Sequence, residues 1–444
     1  MMIQRSFIGI ALTLAIHAGC GSTSQLAVIQ GVGASPVLPP PDTSIIPTIK
    51  VAKAVGWQAE ATPAAASGLT VAAFARGLDH PRWLYVLPNG DVLVAETNAP
   101  PRSEPASGIK GWFFKRYQKK AGGAAPSANR ITLLRDADGD GVAEVRSALL
   151  TGLNAPFGMA LVGDTLYIAN ADAIVKVPYA AGDTSITAPV TTVTTLPGAG
   201  SFNHHWTKNI IASVDGTKLY ATVGSNSNIA ENGMDQEEGR AAIWEIDLAT
   251  GAKRIFAAGL RNPVGLAWSK ETGALWTAVN ERDELGNDLV PDYMTSVQDG
   301  GFYGWPYSYY GSHVDDRVKP ARPDLVATAI VPDYALGSHT ASLGLAHTDT
   351  NALPEQFQQG MFVGQHGSWN RKPRSGYKVI FVPFANGKPS GPPVDALAGF
   401  VTDDGEAMGR PVGVALDSRG NLLVADDVGN VVWRVTGPAR MTRR

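Results

Sequence analysis

The sequence predicts an exported, all-β protein built as a single six-bladed propeller. Three observations carry that reading: a strand–turn–strand unit that recurs along most of the chain, a composition rich in turn residues, and a short apolar run at the N-terminus. Of 444 residues, 49 are Gly and 30 are Pro, while only 17% are charged. Tight turns use Gly for positive φ and Pro for a fixed φ, so this balance suits many short strands. The low charge argues against disorder for the bulk of the chain. A chain this long would ordinarily divide into two or three domains. Closed β arrays are the exception, because one closed architecture absorbs many strands.

The recurring unit is a Gly/Asn/Pro loop, a strand, a short turn and a second strand. Residues 77–83 lead into 91–96, 152–160 into 165–170, 205–210 into 218–223, 259–268 into 274–278, and 409–416 into 421–426. Several units continue into a third strand, at 173–177, 242–246 and 430–435. A sixth, degenerate unit lies around 342–384, with 360–364 and 377–382 as its strands. Repeats of several strands at roughly 40–70 residues mark propeller blades, and favour them over the alternative, a packed sandwich. Radial closure also removes most exposed sheet edges. The propeller is expected over 68–437, with 438–444 as a tail, and the long stretches 98–128 and 280–301 as loops on one face.

The N-terminus reads as a signal peptide over 1–20. Arg5 supplies the positive start, and residues 7–16 form an apolar run too short to span a bilayer. The only cysteine, Cys20, follows Ala18 and Gly19. That order resembles a bacterial lipobox, which predicts Cys20 as the acylated mature N-terminus; plain secretion is the alternative. One cysteine permits no internal disulfide. Residues 21–67 are rich in Ser, Ala, Gly and Pro, and read as an extended tether. Membrane attachment is thus expected through the lipid anchor alone.

The net charge of −3 and the lack of a basic stripe exclude a nucleic-acid partner as an expectation. The one basic run, Lys115, Arg116, Lys119 and Lys120, sits beside Trp112, Phe113 and Phe114 and reads as the solvated face of an insertion. The strongest metal signal is the run 136–144, where Asp136, Asp138 and Asp140 alternate and Gly141 permits a sharp turn. Calcium takes six to eight hard oxygens, and such loops supply them. Glu144 falls at the ninth position, short of the EF-hand's twelfth, and an Asp/Gly hairpin turn is the alternative.

The segment 259–267, which contains Arg261-Asn262-Pro263, is followed by an acidic loop at 280–288 and then by Gly300-Gly301-Phe302-Tyr303-Gly304-Trp305-Pro306. Together these resemble the glucose/sorbosone dehydrogenase family. The His204-His205-Trp206-Thr207 loop resembles that family's catalytic-histidine loop, and 364–371 resembles its sorbosone-dehydrogenase-like branch. The resemblance covers roughly 69–435. It implies a six-bladed propeller that binds pyrroloquinoline quinone (PQQ) and calcium, oxidises an aldose or related sugar, and passes electrons to an external acceptor. It further implies His205 as general base, with Arg261 stabilising charge on the quinone. Cofactor contacts are expected from Asn154, Arg261, Asn262, Arg371 and Arg410. Calcium is expected against the main chain at Glu281 and Arg282.

The physical chemistry agrees with that implication. The quinone carries three carboxylates, which call for arginines in a desolvated funnel. Arg261, Arg410, His205 and Asn154 sit in loops that lead into successive units, and such loops converge at one end of a propeller axis. The lysine that the family places near the quinone has no clear counterpart; Arg371, His366 and Lys208 are candidates, and His204 is an alternative base. Two other functions fit the same fold: a calcium-dependent lactone hydrolase, with Glu96, Asn154, Asn226 and Asp426 on the axis, and a non-catalytic binding propeller.

Overall fold

A computed structural model describes residues 22–42, 48–100, 116, 119–198, 203–348 and 350–438. Six blades, each built on four antiparallel strands and three of them extended by further short strands, radiate from a common axis. Their innermost strands are Pro81–Val86, Met159–Val162, Ile210–Ala212, Pro263–Trp268, Ser342–Thr348 and Pro411–Leu416. Each contacts the next around the ring, and the last returns to the first. We number the blades in that order. The expected sixth unit is real: Gly360–Gln365 and Lys378–Ala385 are the second and third strands of blade 5.

Closure is made by the chain itself. Thr70–Arg76, which precedes blade 1, pairs antiparallel with Val431–Thr436 and completes blade 6. This ties the two ends of the domain together and leaves no open seam. Between neighbouring blades lie apolar clusters. Trp83 and Phe157 meet between blades 1 and 2, and Phe362, Phe381 and Trp433 between blades 5 and 6. Where blades 5 and 6 crowd the axis, a Cβ on Gly344 would lie 2.2 Å from the Val412 carbonyl oxygen. Only Gly allows that approach.

The segment that composition reads as a free tether is instead laid on the propeller. Val32–Gly33 adds a strand to the outer edge of blade 4, and Ala64–Ala65 adds one to blade 5. Between them the Asp42, Lys50 and Ala54 amides donate to the Leu285, Trp369 and Lys120 carbonyls, on the face that carries the loops leading into the inner strands. Pro and Ser cannot build a core, yet an extended strand needs only an unpaired edge to dock. The stretch 280–301 is also less of a loop than expected, because Pro291–Ser296 is the third strand of blade 4. Cys20, the signal run, Lys115 with its aromatic neighbours, and nearly all of the tail lie outside the described residues. Among the described residues, no helix is long and apolar enough to cross a membrane.

Candidate active site

All six inner strands start at one face, so the loops before them converge there. His205 stands in the loop before the inner strand of blade 3. Its Nδ1 lies 2.9 Å from the Ser225 carbonyl oxygen and 3.0 Å from Ser225 Oγ. A carbonyl only accepts, so Nδ1 carries the hydrogen and Nε2 is the basic nitrogen. Burial, then Arg261, His204 and Lys208, hold the imidazole pKa well below its ordinary 6.5. The ring is therefore neutral. Its close packing depends on Gly224, where a Cβ would fall 2.5 Å from the His205 Cβ and 2.4 Å from Asn262 Oδ1. Lys208 is fully buried and donates to the His205 and Trp206 carbonyls at 3.3 and 3.4 Å. It clamps this loop from beneath, and burial drives its pKa well down. His204 is exposed, with its ring centroid 4.9 Å from that of His205.

Arg261, from blade 4, is buried beside this base. It donates to the Asn228 carbonyl and Oδ1, and to the Asn280 and Glu281 carbonyls, the last at 2.6 Å. Asp283 lies 3.7 Å away and also engages His339 at 3.3 Å and Asn370 at 2.8 Å. These cations, with hydrogen bonds, outweigh burial and bring the Asp283 carboxyl down to about 2. Asn262 is buried with its Oδ1 unpartnered.

Across the axis stands a cluster of which the sequence singled out Arg410 and His366, but not Asp427, Arg82 or His80. Asp427, from blade 6, accepts from Arg82 at 2.6 Å and from His366 Nε2 at 2.9 Å, with His80 Nε2 at 3.5 Å. The hydrogen bond from His366 and the Arg82 charge hold its carboxyl far below the usual range despite burial. Burial lowers both histidines, His366 to about 4, so they are neutral near pH 7. Arg82 also lies over the Trp206 ring, 5.7 Å from its centroid, which joins this cluster to the His205 loop. Arg410 stacks on Tyr377 at 5.0 Å and donates to its hydroxyl at 3.2 Å. The Nε atoms of Arg82 and Arg410 are both buried without a partner. Two guanidiniums against one carboxylate leave an uncompensated positive charge. Beside the cluster lies a cavity of about 520 Å³, lined by Asp79, His80, Arg130, Asp427 and Asn430 among others.

Several expected site residues go elsewhere. Asn154 is exposed, and Phe157 fills the axial place of blade 2, packed on Trp83 and Trp206. Arg371 spends its guanidinium on the Asn287, Pro373 and Leu26 carbonyls, Ser24 and Asp288, so it pins the N-terminal strap. Arg282 is wholly buried on Glu281, Asp315, and the Pro306 and Ser308 carbonyls. In the loop expected to hold calcium, the Glu281 carbonyl accepts from Arg261. Asp136, Asp138, Asp140 and Glu144 do gather, with ligand atoms within 4.8 Å of one another. They join the third and fourth strands of blade 1, so they lie on the face opposite His205. Arg261 and Arg410 are also one step out of register. Pro263 and Pro411 pair at matching positions, with Val279 and Asp426. Arg410 therefore matches Asn262 and His80, whereas Arg261 matches Asp79.

The signal that could have found the missed cluster was the first unit itself. His80-Pro81-Arg82 occupies the place of Asn262-Pro263-Val264, yet offers two ionisable groups.

Fold and site together define a propeller whose converging loops carry a neutral histidine and buried arginines. Residues 126–298 and 326–437 match the TrAA12-like family, and the chain belongs to that family. It is 27% identical over 312 residues to a PQQ-dependent pyranose dehydrogenase of Coprinopsis cinerea, covering 55% of this chain and 42% of that protein. It is 31% identical over 111 residues to an aldose sugar dehydrogenase of Escherichia coli, covering 25% and 28%. The chain spans about half the length, or less, of the curated relatives it matches. Among solved structures, the holo PQQ domain of the C. cinerea pyranose dehydrogenase superposes with a TM-score of 0.67 at 21% identity, covering 86% of this chain and 98% of that one. The apo E. coli aldose sugar dehydrogenase gives 0.57 at 17% identity, covering 84% and 100%. At these identities the superpositions establish the fold.

Proposed function

We propose that this protein is a PQQ-dependent sugar dehydrogenase that oxidises an aldose, sorbosone-like or related pyranose substrate. The observation that carries the reading is a neutral imidazole with its Nδ1 locked on a carbonyl, across the axis from two guanidiniums whose buried Nε atoms lack partners. Arg82 and Arg410 fit a planar polycarboxylate, since charge-assisted hydrogen bonds to carboxylates suit guanidinium geometry. Bound there, PQQ would supply the two-electron acceptor that no side chain can provide.

The chain's own residues do the rest. His205 Nε2 takes the proton from the sugar hydroxyl, and histidine suits that task near neutral pH. Ser225 holds the tautomer, and Lys208 fixes the loop. Arg261 keeps His205 neutral and stabilises negative charge that develops beside it, an effect enlarged in a dry pocket. The electrons leave to an external acceptor. The four residues of the lactone-hydrolase alternative do not support it, because they sit in separate networks. Glu96 is held by Arg130 and Thr132, Asp426 by Trp57 and Trp433, and Asn226 by Glu237 and Gln236, while Asn154 is exposed. Export and the Cys20 anchor belong to the same proposal, and Cys20→Ser should release the protein from membranes.

The test is titration of the apo-protein with PQQ, followed by absorbance, then addition of aldoses without an acceptor. A stoichiometric bound-quinone band that a sugar bleaches supports the reading. No binding at micromolar PQQ overturns it.

A further inference from the structure

Trp369 is the one Trp, Tyr or Phe left largely exposed among the described residues, at 45%. It stands between two residues tied into opposite halves of the site. His366 binds Asp427 of the Arg82 cluster, and Asn370 donates to Asp283, which faces Arg261. The backbone around it is fixed. The Trp369 carbonyl accepts from the Lys50 amide at 2.7 Å, and Ser368 and Ser375 exchange hydrogen bonds at its base. The strap then runs on to Ala54, whose amide donates to Lys120 beside the 520 Å³ cavity. An indole left in water on a fixed backbone, between two residues tied to the charged clusters of the site, is a contact surface in waiting.

We infer that Trp369 is a stacking platform for a second sugar ring, so that the preferred substrate is a reducing oligosaccharide rather than a free monosaccharide. This rests on the sugar-dehydrogenase reading above. The reacting ring must reach His205 at the half-buried wall of the axis. Trp369 lies further out, beyond Arg261, Asp283 and Asn370. A pyranose presents hydroxyls around its edge and C–H bonds on its face. The axial groups match the first, and the indole face matches the second. A rigid aromatic also binds at low entropic cost.

The test compares wild type, Trp369→Phe and Trp369→Ala as PQQ-loaded protein. Steady-state kinetics are measured with glucose, cellobiose and maltose. Binding of methyl β-cellobioside, whose anomeric oxygen is blocked, is measured by calorimetry. In Trp369→Ala, KM for at least one disaccharide and Kd for the blocked glycoside should rise about tenfold, the loss of one aromatic contact. kcat and the KM for glucose should stay within twofold, and Trp369→Phe should keep most of the affinity. Equal losses for glucose and disaccharides, or no loss for either, overturns the platform, as does a wild type that binds no disaccharide. A wild type that binds the blocked glycoside through Trp369 yet oxidises no sugar would keep the platform and discard the dehydrogenase.

Discussion

The two halves of the axial site are both arginine-bearing, yet their arginines are in opposite conditions. On blades 3 and 4, Arg261 is saturated by Asn228 and by the carbonyls of Asn280 and Glu281. On blades 6 and 1, Arg82 and Arg410 each keep a buried Nε without a partner. A buried donor left unsatisfied carries a desolvation penalty of about 1–3 kcal/mol. Arg261 is therefore satisfied without a ligand and suited to electrostatic tuning of His205. The second half is left incomplete, which fits the proposal that an anionic ligand binds there.

The largest effect should come from breaking the incomplete half. The double change Arg82→Gln with Arg410→Gln should weaken PQQ binding roughly 10²–10⁴-fold, since each charged hydrogen bond contributes about 1.5–3 kcal/mol. Equilibrium titration by absorbance checks this, and Arg371→Gln is the control that should leave cofactor affinity within threefold while loosening the strap. Unchanged affinity in the double variant would erase the distinction between the halves.

Next in size is Asp427→Asn. It strands Arg82 near Arg410 with no carboxylate, and breaking such a buried pair costs about 3–5 kcal/mol. Chemical denaturation should show that loss. Its pH dependence has a definite sign. The folded Asp427 carboxyl sits below its unfolded value of about 3.9, so its stabilisation is present above that pH and is lost as pH falls further. His366, lowered to about 4, adds a decline between pH 6.5 and 4, because there the unfolded chain binds the extra proton.

A smaller effect sharpens the saturated half. With His205 depressed, the acid limb of kcat/KM should fall below pH 6.5 in the wild type. Arg261→Gln removes the largest charge holding it down, so the limb should move to higher pH. A limb that stays put would mean that burial alone sets the base.

How legible the site was in the sequence follows the same division. The blades were legible because strand, turn and Gly/Pro loop repeat locally, and the weak sixth unit was found from its two apolar strands. His205 and Arg261 were legible because a motif carried them. The Arg82–Asp427–His366 cluster was not, because it joins blades 1, 6 and 5 across more than 340 residues of chain. Arg371 shows the opposite case: its motif suggested a ligand contact, while two of its partners, Ser24 and Leu26, lie in a strap that composition marked as unstructured. The acidic hairpin was found as a cluster, but only strand direction reveals that it faces away from the axis.

That separation of faces gives the smallest prediction. Calcium at Asp136, Asp138, Asp140 and Glu144 should relieve carboxylate repulsion and raise Tm by a few degrees at millimolar concentration, through simple binding linkage. Asp138→Asn should remove that rise. Chelation should leave turnover of the loaded protein unchanged, and loss of turnover would place an essential ion at the axis instead.

The central claim is that His205 moves the proton and the opposite half holds the cofactor. It is tested most directly by single-turnover bleaching in PQQ-loaded His205→Gln, with His204→Gln alongside. The account predicts that His205→Gln binds PQQ as the wild type does, within threefold, and bleaches roughly 10²–10⁴-fold more slowly, while His204→Gln stays near wild type. Bleaching by His205→Gln at the wild-type rate, or loss of cofactor binding in that variant, would contradict it.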